Sequence, residues 1–248
     1  MSPSKVSQLY WILIGLALVS CQAATPPAPV LTPQYWRVQY TPALAWMAPA
    51  FNLCIASLSQ QPGFALAVFE RPASALDITQ ADITLRWGAA ADSSGALVEL
   101  GSDDLVFVVN PQNPLQNLTG SQVRNIFSGA NRAWSDFSKA NANSIVVWSY
   151  PQGNEIRQFF EDALSPVDLL SSAHLAPDPN AMRQAVAADP SAIGYLPGRW
   201  VDSSVRLLAI TDISELSLRQ PILAVTQTAP QGAQKEWLLC LQRSIAQK

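Results

Sequence analysis

Leu105-Val106-Phe107-Val108-Val109-Asn110-Pro111-Gln112-Asn113-Pro114 runs from an unbroken apolar segment straight into an Asn/Pro-rich turn. An apolar run with no polar alternation suits a central strand covered on both faces. Asn and Pro then stop it, because both favour turn geometry over a continuing ladder. Thr119-Gly120-Ser121-Gln122 follows as a capping box and opens a short helix with Val123, Ile126 and Phe127 inward and Gly129 at its end. This strand-turn-helix unit recurs in both directions. Upstream, Trp36 to Tyr40 is a short strand and Thr41-Pro42 a helix start, after which Leu44, Ala48, Phe51, Ile55 and Leu58 keep helical spacing. Pro49 lies within that spacing, so the helix either kinks there or begins at Ala48. Phe64 to Phe69, Asp82 to Trp87 and Leu97 to Leu100 are further strands, the last separate from Leu105 to Val109.

Downstream, Ser144 to Trp148 is a strand, and the helix after it buries Ile156, Phe159, Phe160 and Ala163. A helix opens at Asp178-Pro179 and stops at Asp189-Pro190. Strands follow at Ala192 to Tyr195, Val205 to Ile210 and Ile222 to Thr226, and Gly232 to Ile245 is a closing helix. Strands alternating with helices give an α/β class with mainly parallel sheets.

Composition narrows the function. The chain has 248 residues, 49% hydrophobic and only 13% charged. The usual charged share is about 25%. Such a chain buries a real core and is not disordered. A formal charge of −3 without a Lys/Arg cluster argues against nucleic acid. One His and 3 Cys leave little for a metal site or a His-based triad, so no catalytic residue, metal or cofactor is expected. His174 reads as a solvated loop residue.

The N-terminus carries Lys5, the apolar stretch Leu9 to Val19, and Ser20-Cys21. It reads as a signal peptide over residues 1–20. Leu18-Val19-Ser20-Cys21 resembles the bacterial lipobox, which implies lipidation of Cys21. The other reading is an uncleaved anchor with an incidental Cys. Residues 21–34 then form a Pro-rich tether, spanning about 40 Å at ~3.1 Å per residue in polyproline geometry. Cys54 and Cys240 fall on the apolar faces of the first and last helices. They are either a disulfide, which requires both chain ends in one lobe, or two separately buried thiols.

Val108-Val109-Asn110-Pro111, continuing through Val123-Arg124-Asn125-Ile126-Phe127-Ser128-Gly129 to Trp134, resembles phosphate-type substrate-binding proteins of ABC importers. Ala192-Ile193-Gly194-Tyr195 matches a second stretch of that family, and Tyr40-Thr41-Pro42-Ala43 sits where its first strand-to-helix step begins. The likeness implies a two-lobed type II periplasmic-binding fold, each lobe a mainly parallel sheet flanked by helices. Residues 35–108 with 205–248 would form lobe I and 109–204 lobe II. Hinges would lie near Val109-Asn110 and Ser203-Ser204.

In open α/β sheets, ligands collect beyond the carboxyl ends of the strands, where helix N-termini offer N–H groups to an oxyanion. Three such loops are expected to converge. They are Thr41 with Ala43 and Leu44, Gly88-Ala89-Ala90, and Gly153-Asn154-Glu155. Arg86 is a candidate cation. Of Trp87, Trp148, Tyr150, Tyr195 and Trp200, two are expected to touch ligand. The third loop departs from the family, whose Arg and hydroxyl-rich turn are replaced here by Tyr150-Pro151-Gln152-Gly153-Asn154-Glu155-Ile156. Glu155 either faces the cleft, where a desolvated carboxylate opposes a dianion, or points to solvent as a first-turn acid. Arg157 is either a surface residue or a cation turned to the cleft.

The expectation is an extracytoplasmic, lipid-anchored monomer that captures a small, phosphate-like solute for an ABC permease. The alternative is a lipoprotein of the same fold without transport, with a degenerate cleft. A cell-surface hydrolase has little support, since the sequence has no Gly-x-Ser-x-Gly elbow, no metal-ligand spacing and one poorly placed His.

Overall fold

The computed structural model describes residues 34–58, 64–89, 95–137, 143–165, 168–213 and 217–247. The signal peptide, Cys21 and all of the tether but Gln34 lie outside the described residues, as does Ala90. Strand β1 (Gln34–Tyr40) leads through a 3-10 turn (Pro42–Met47) into helix α1 (Ala48–Ser57). Pro49 therefore sits in the first turn, where its missing N–H costs nothing, and the helix proper begins at Ala48. Strands β2 (Phe64–Glu70) and β3 (Ile83–Trp87) flank β1 in parallel.

Strand β4 (Ala96–Val109) corrects the sequence reading, which split it in two. Gly101-Ser102-Asp103-Asp104 looks like a turn in sequence. Strand β10 (Arg219–Thr226) pairs antiparallel across all of it, however, and a register shift at Ile222/Leu223 absorbs the irregularity. Gly101 is needed there because a Cβ would lie 2.7 Å from the Ile245 side chain of the closing helix, α5 (Gly232–Ala246). Burial alternates along the first half of β4, while Phe107, Val108 and Val109 are all buried, as a strand covered on both faces requires.

Beyond Val109 come the two-residue β5 (Asn117–Leu118) and α2 (Gly120–Phe127). The capping box is complete: the Gln122 N–H donates to Thr119 Oγ1 and the Thr119 N–H to Gln122 Oε1. Strand β6 (Val146–Ser149), helix α3 (Glu155–Ala163), β7 (His174–Leu175), α4 (Pro179–Ala188), β8 (Ala192–Pro197) and β9 (Arg206–Ile210) complete the chain. The sheet order is β2-β1-β3-β10-β4-β8-β6-β7, with β9 paired to β4 and β5. This is the expected α/β class, a curled, mainly parallel sheet flanked by helices.

Two aromatic groups stand out in the core on this sheet. In the first, Phe51, Trp237 and Trp36 pack together, the Trp237 indole donates to the Phe51 carbonyl at 3.2 Å, and Cys54 and Cys240 are disulfide-bonded with Cα atoms 5.6 Å apart. In the second, Phe107, Phe127, Phe160 and Tyr195 cluster, with Phe160 and Tyr195 stacked at 4.1 Å. Asn110 explains the abrupt turn after β4. Its amide donates to the Ala187 carbonyl at 2.7 Å and its side-chain oxygen accepts from the Gln112 N–H at 2.9 Å, so it closes the turn and caps the end of α4 at once.

Candidate ligand cleft

The C-terminal ends of β1, β2, β6 and β7 open into four short segments: Pro42-Ala43, Pro72-Ala73-Ser74, Pro151 to Glu155, and Pro177. Together they line a cavity of about 150 Å³. Its location follows the rule for open α/β sheets. A larger cavity, about 360 Å³, lies between β4 and β9. Apart from Asp104 and Gln116 its lining is apolar or small, with little to orient a solute, so the smaller cavity is the better candidate.

Two of the three expected loops meet there. Ala43 and Gly153-Asn154-Glu155 face each other across the cavity. Gly153 takes a left-handed φ of 83°, which a residue with a side chain rarely adopts. Asn154 caps α3, its side-chain oxygen accepting from the N–H groups of Ile156 and Arg157 at 2.9 and 3.4 Å, so those donors are already engaged. The Ala43 carbonyl accepts the Trp200 indole N–H at 2.8 Å.

Gly88 and Ala89 of the remaining loop stand apart from the cavity lining. Gly88, at φ 90°, is buried and donates its N–H to the Pro221 carbonyl at 2.9 Å, while Ala89 is exposed. Tyr195 is fully buried, its hydroxyl 2.7 Å from Ser149 Oγ, which makes it a core residue. None of Trp87, Trp148, Tyr150, Tyr195 and Trp200 lines the cavity. His174 belongs to β7 and stacks on Trp148 at 4.9 Å, rather than standing free in a loop. Arg157 turns from the cleft to Glu161 at 2.7 Å and to the Tyr150 carbonyl at 3.2 Å. The Pro72-Ser74 segment was not anticipated, although the strand-end rule that found Thr41 applies equally to β2.

Glu155 resolves its two readings in favour of the interior. It is 8% exposed, and neither carboxylate oxygen has a hydrogen-bond partner. Burial pushes its pKa up to about 7, against the smaller opposing pull of the neighbouring Thr41 hydroxyl and the Arg86 charge. The Thr41 hydroxyl, fully buried, lies beside the carboxyl without a hydrogen bond of ordinary geometry. Arg86 Nε is likewise buried and unpartnered. Two expected site residues, Thr41 and Arg86, thus act on one buried carboxylate. Among the described residues, no group of three or more His, Cys, Asp or Glu could hold a metal ion, and no helix is long and apolar enough to cross a membrane.

Known structures share this architecture. An ABC-type phosphate transport receptor from Vibrio cholerae superposes with a TM-score of 0.63 at 20% identity, covering 86% of this chain and 95% of the other. A phosphate ABC transporter substrate-binding protein with bound phosphate, from Clostridium perfringens, gives 0.68 at 19%, covering 84% and 93%. The OxyR2 regulatory domain from Vibrio vulnificus gives 0.57 at 12%, covering 86% and 98%. No curated protein matches in sequence. The PBP superfamily domain matches residues 67–235. Since that match takes in most of the folded body, from β2 to the first turn of α5, the chain belongs to the PBP superfamily.

Proposed function

We propose that the protein is an extracytoplasmic solute-binding protein, anchored by lipid on Cys21, that holds a small solute between two lobes and delivers it to an ABC permease without chemical change. The observation that carries this reading is the cavity where the ends of β1 and β2 meet those of β6 and β7. Structural likeness to phosphate receptors supports an oxyanion as the solute class. The strand pairing supports a lobe division close to 35–108 with 205–248 against 109–204, with two adjustments. Strand β4 changes partner from β10 to β8 at Asp104/Leu105, and β9 pairs with β4 and β5, so the crossings are drawn at 104–105 and 211–218.

A second reading, a lipoprotein of the same fold whose cleft has lost its oxyanion and serves no transport, is favoured by the buried Glu155. Titrating the full chain with phosphate, other oxyanions, amino acids and sugars separates the two. A ligand at about 100 times its Kd adds ~2.7 kcal/mol of stability. A panel without any shift would favour the second reading. For the anchor, Cys21→Ala is expected to release the protein from the membrane fraction, and retention would count against lipidation.

A further inference from the structure

We propose that Glu155 is the specificity-determining residue of this cleft: its carboxylate occupies the seat that Thr41 and Arg86 offer an oxyanion, so the unaltered chain rejects phosphate. The inference rests on reading the cavity as a solute cleft. Three observations support it. Among the described residues Glu155 is the only ionisable one lining the cavity, so none of these lining residues offers a cation to an incoming anion. Its carboxylate is buried with both oxygens unpartnered, beside a buried Thr41 hydroxyl and within the electrostatic reach of Arg86, whose buried Nε also lacks a partner. Unpartnered groups of matching character gathered at one point form a binding seat, because each is costly to bury alone. Finally, Asn154 already engages the Ile156 and Arg157 N–H groups of α3, so the helix start has fewer donors left to compensate the charge of a second anion.

The carboxylate is thus a tethered counterpart of the ligand. Its charge acts on that of Arg86 from the α3 side, as the charge of a bound oxyanion would. An incoming dianion must displace it or sit against it, and like charges at contact in a water-poor site repel strongly. A serine at position 155 would remove the charge and supply a hydroxyl at the same place.

The test titrates the full chain with inorganic phosphate by calorimetry at about pH 8, where Glu155 is mostly ionised. Wild type, Glu155→Ser, Glu155→Gln and Glu155→Ser/Thr41→Ala are compared, with urea unfolding confirming that each is folded. Wild type is expected to give no binding heat. Glu155→Ser is expected to gain about 100-fold or more in affinity, the range of a removed buried charge clash, and Glu155→Gln a smaller part of it. Adding Thr41→Ala should abolish the gain. Phosphate binding by wild type as tight as by Glu155→Ser would overturn the assignment. A folded Glu155→Ser that binds no phosphate, or a gain indifferent to Thr41→Ala, would do the same. Phosphate binding gained by Glu155→Ser, with wild type silent across the solute panel, keeps the seat and removes the transport reading. A panel solute bound by wild type with phosphate indifferent to position 155 does the reverse.

Discussion

Trp87 at the end of β3 and Phe159 on α3 meet edge to face, their ring centroids 5.6 Å apart. Trp87 ends β3, which pairs with β1 and β10, and Phe159 lies on α3, which follows β6, so the pair ties together elements from different parts of the sheet. Phe159→Ala removes this contact and part of the burial of Trp87. A loss of about 1–2 kcal/mol is expected in urea unfolding. Small-angle scattering should show a larger radius of gyration for the variant. An unchanged radius would mean that the pair does not hold these elements together.

Stability should fall as pH rises from about 5 to 8. Burial raises Glu155 to about 7, and it raises Asp103 to about 6 against the opposing N–H bonds from Arg199 and Asp104. Between the ordinary carboxylate range and these values the folded chain holds protons that the unfolded chain has released. Stability therefore declines with increasing pH, and the Glu155 share reaches about 3 kcal/mol once the group is ionised. Thermal melts at pH values across this window check the slope. Glu155→Gln should flatten it and leave only the Asp103 share.

Gly194 lies where α4 crosses β8. A Cβ there would stand 2.5 Å from Met182 Sδ and 3.1 Å from Val186 Cγ2. Gly194→Ala is expected to cost about 1–3 kcal/mol through overpacking. The double variant Gly194→Ala/Val186→Ala should recover part of that loss. If the single variant unfolds at the wild-type urea midpoint, the helix has more room than the geometry allows.

Cys54 and Cys240 are 186 positions apart. Reduction, or paired replacement by Ala, is expected to cost about 2–5 kcal/mol, since the bridge restricts a long loop in the unfolded chain. The drop in denaturation midpoint with and without reductant measures it. The Ala/Ala variant should show no further response to reductant.

Local chemistry was well legible in the sequence. The capping box of Thr119 and Gln122 and the buried end of β4 follow from spacing and residue type, whereas Pro49 allows either a kink or a start at Ala48 and the structure shows the start. What failed depends on partners distant along the chain. Gly101 to Asp104 looks like a break until β10 lies alongside and α5 presses on Gly101. The cysteines could be put on apolar faces, but only the packing of α1 on α5 makes them a pair. At the site, strand-end logic pointed to Thr41, Ala43 and Gly153, of which Ala43 and Gly153 line the cavity. It did not show that the Tyr195 hydroxyl finds Ser149 or that the Gly88 N–H is taken by Pro221. Whether Glu155 faces in or out is a matter of side-chain orientation, which helix periodicity does not resolve at a first-turn position.

The bridge from α1 to α5 has a consequence for damage. It turns almost the whole folded body into a closed ring, with only short arms outside it. A protease that nicks any surface loop between the two cysteines opens the ring without parting it, and the two pieces stay on one scaffold in their original register. Such a molecule would migrate as intact without thiol and split in two with it, and it would remain held together through cuts that sever an unbridged chain.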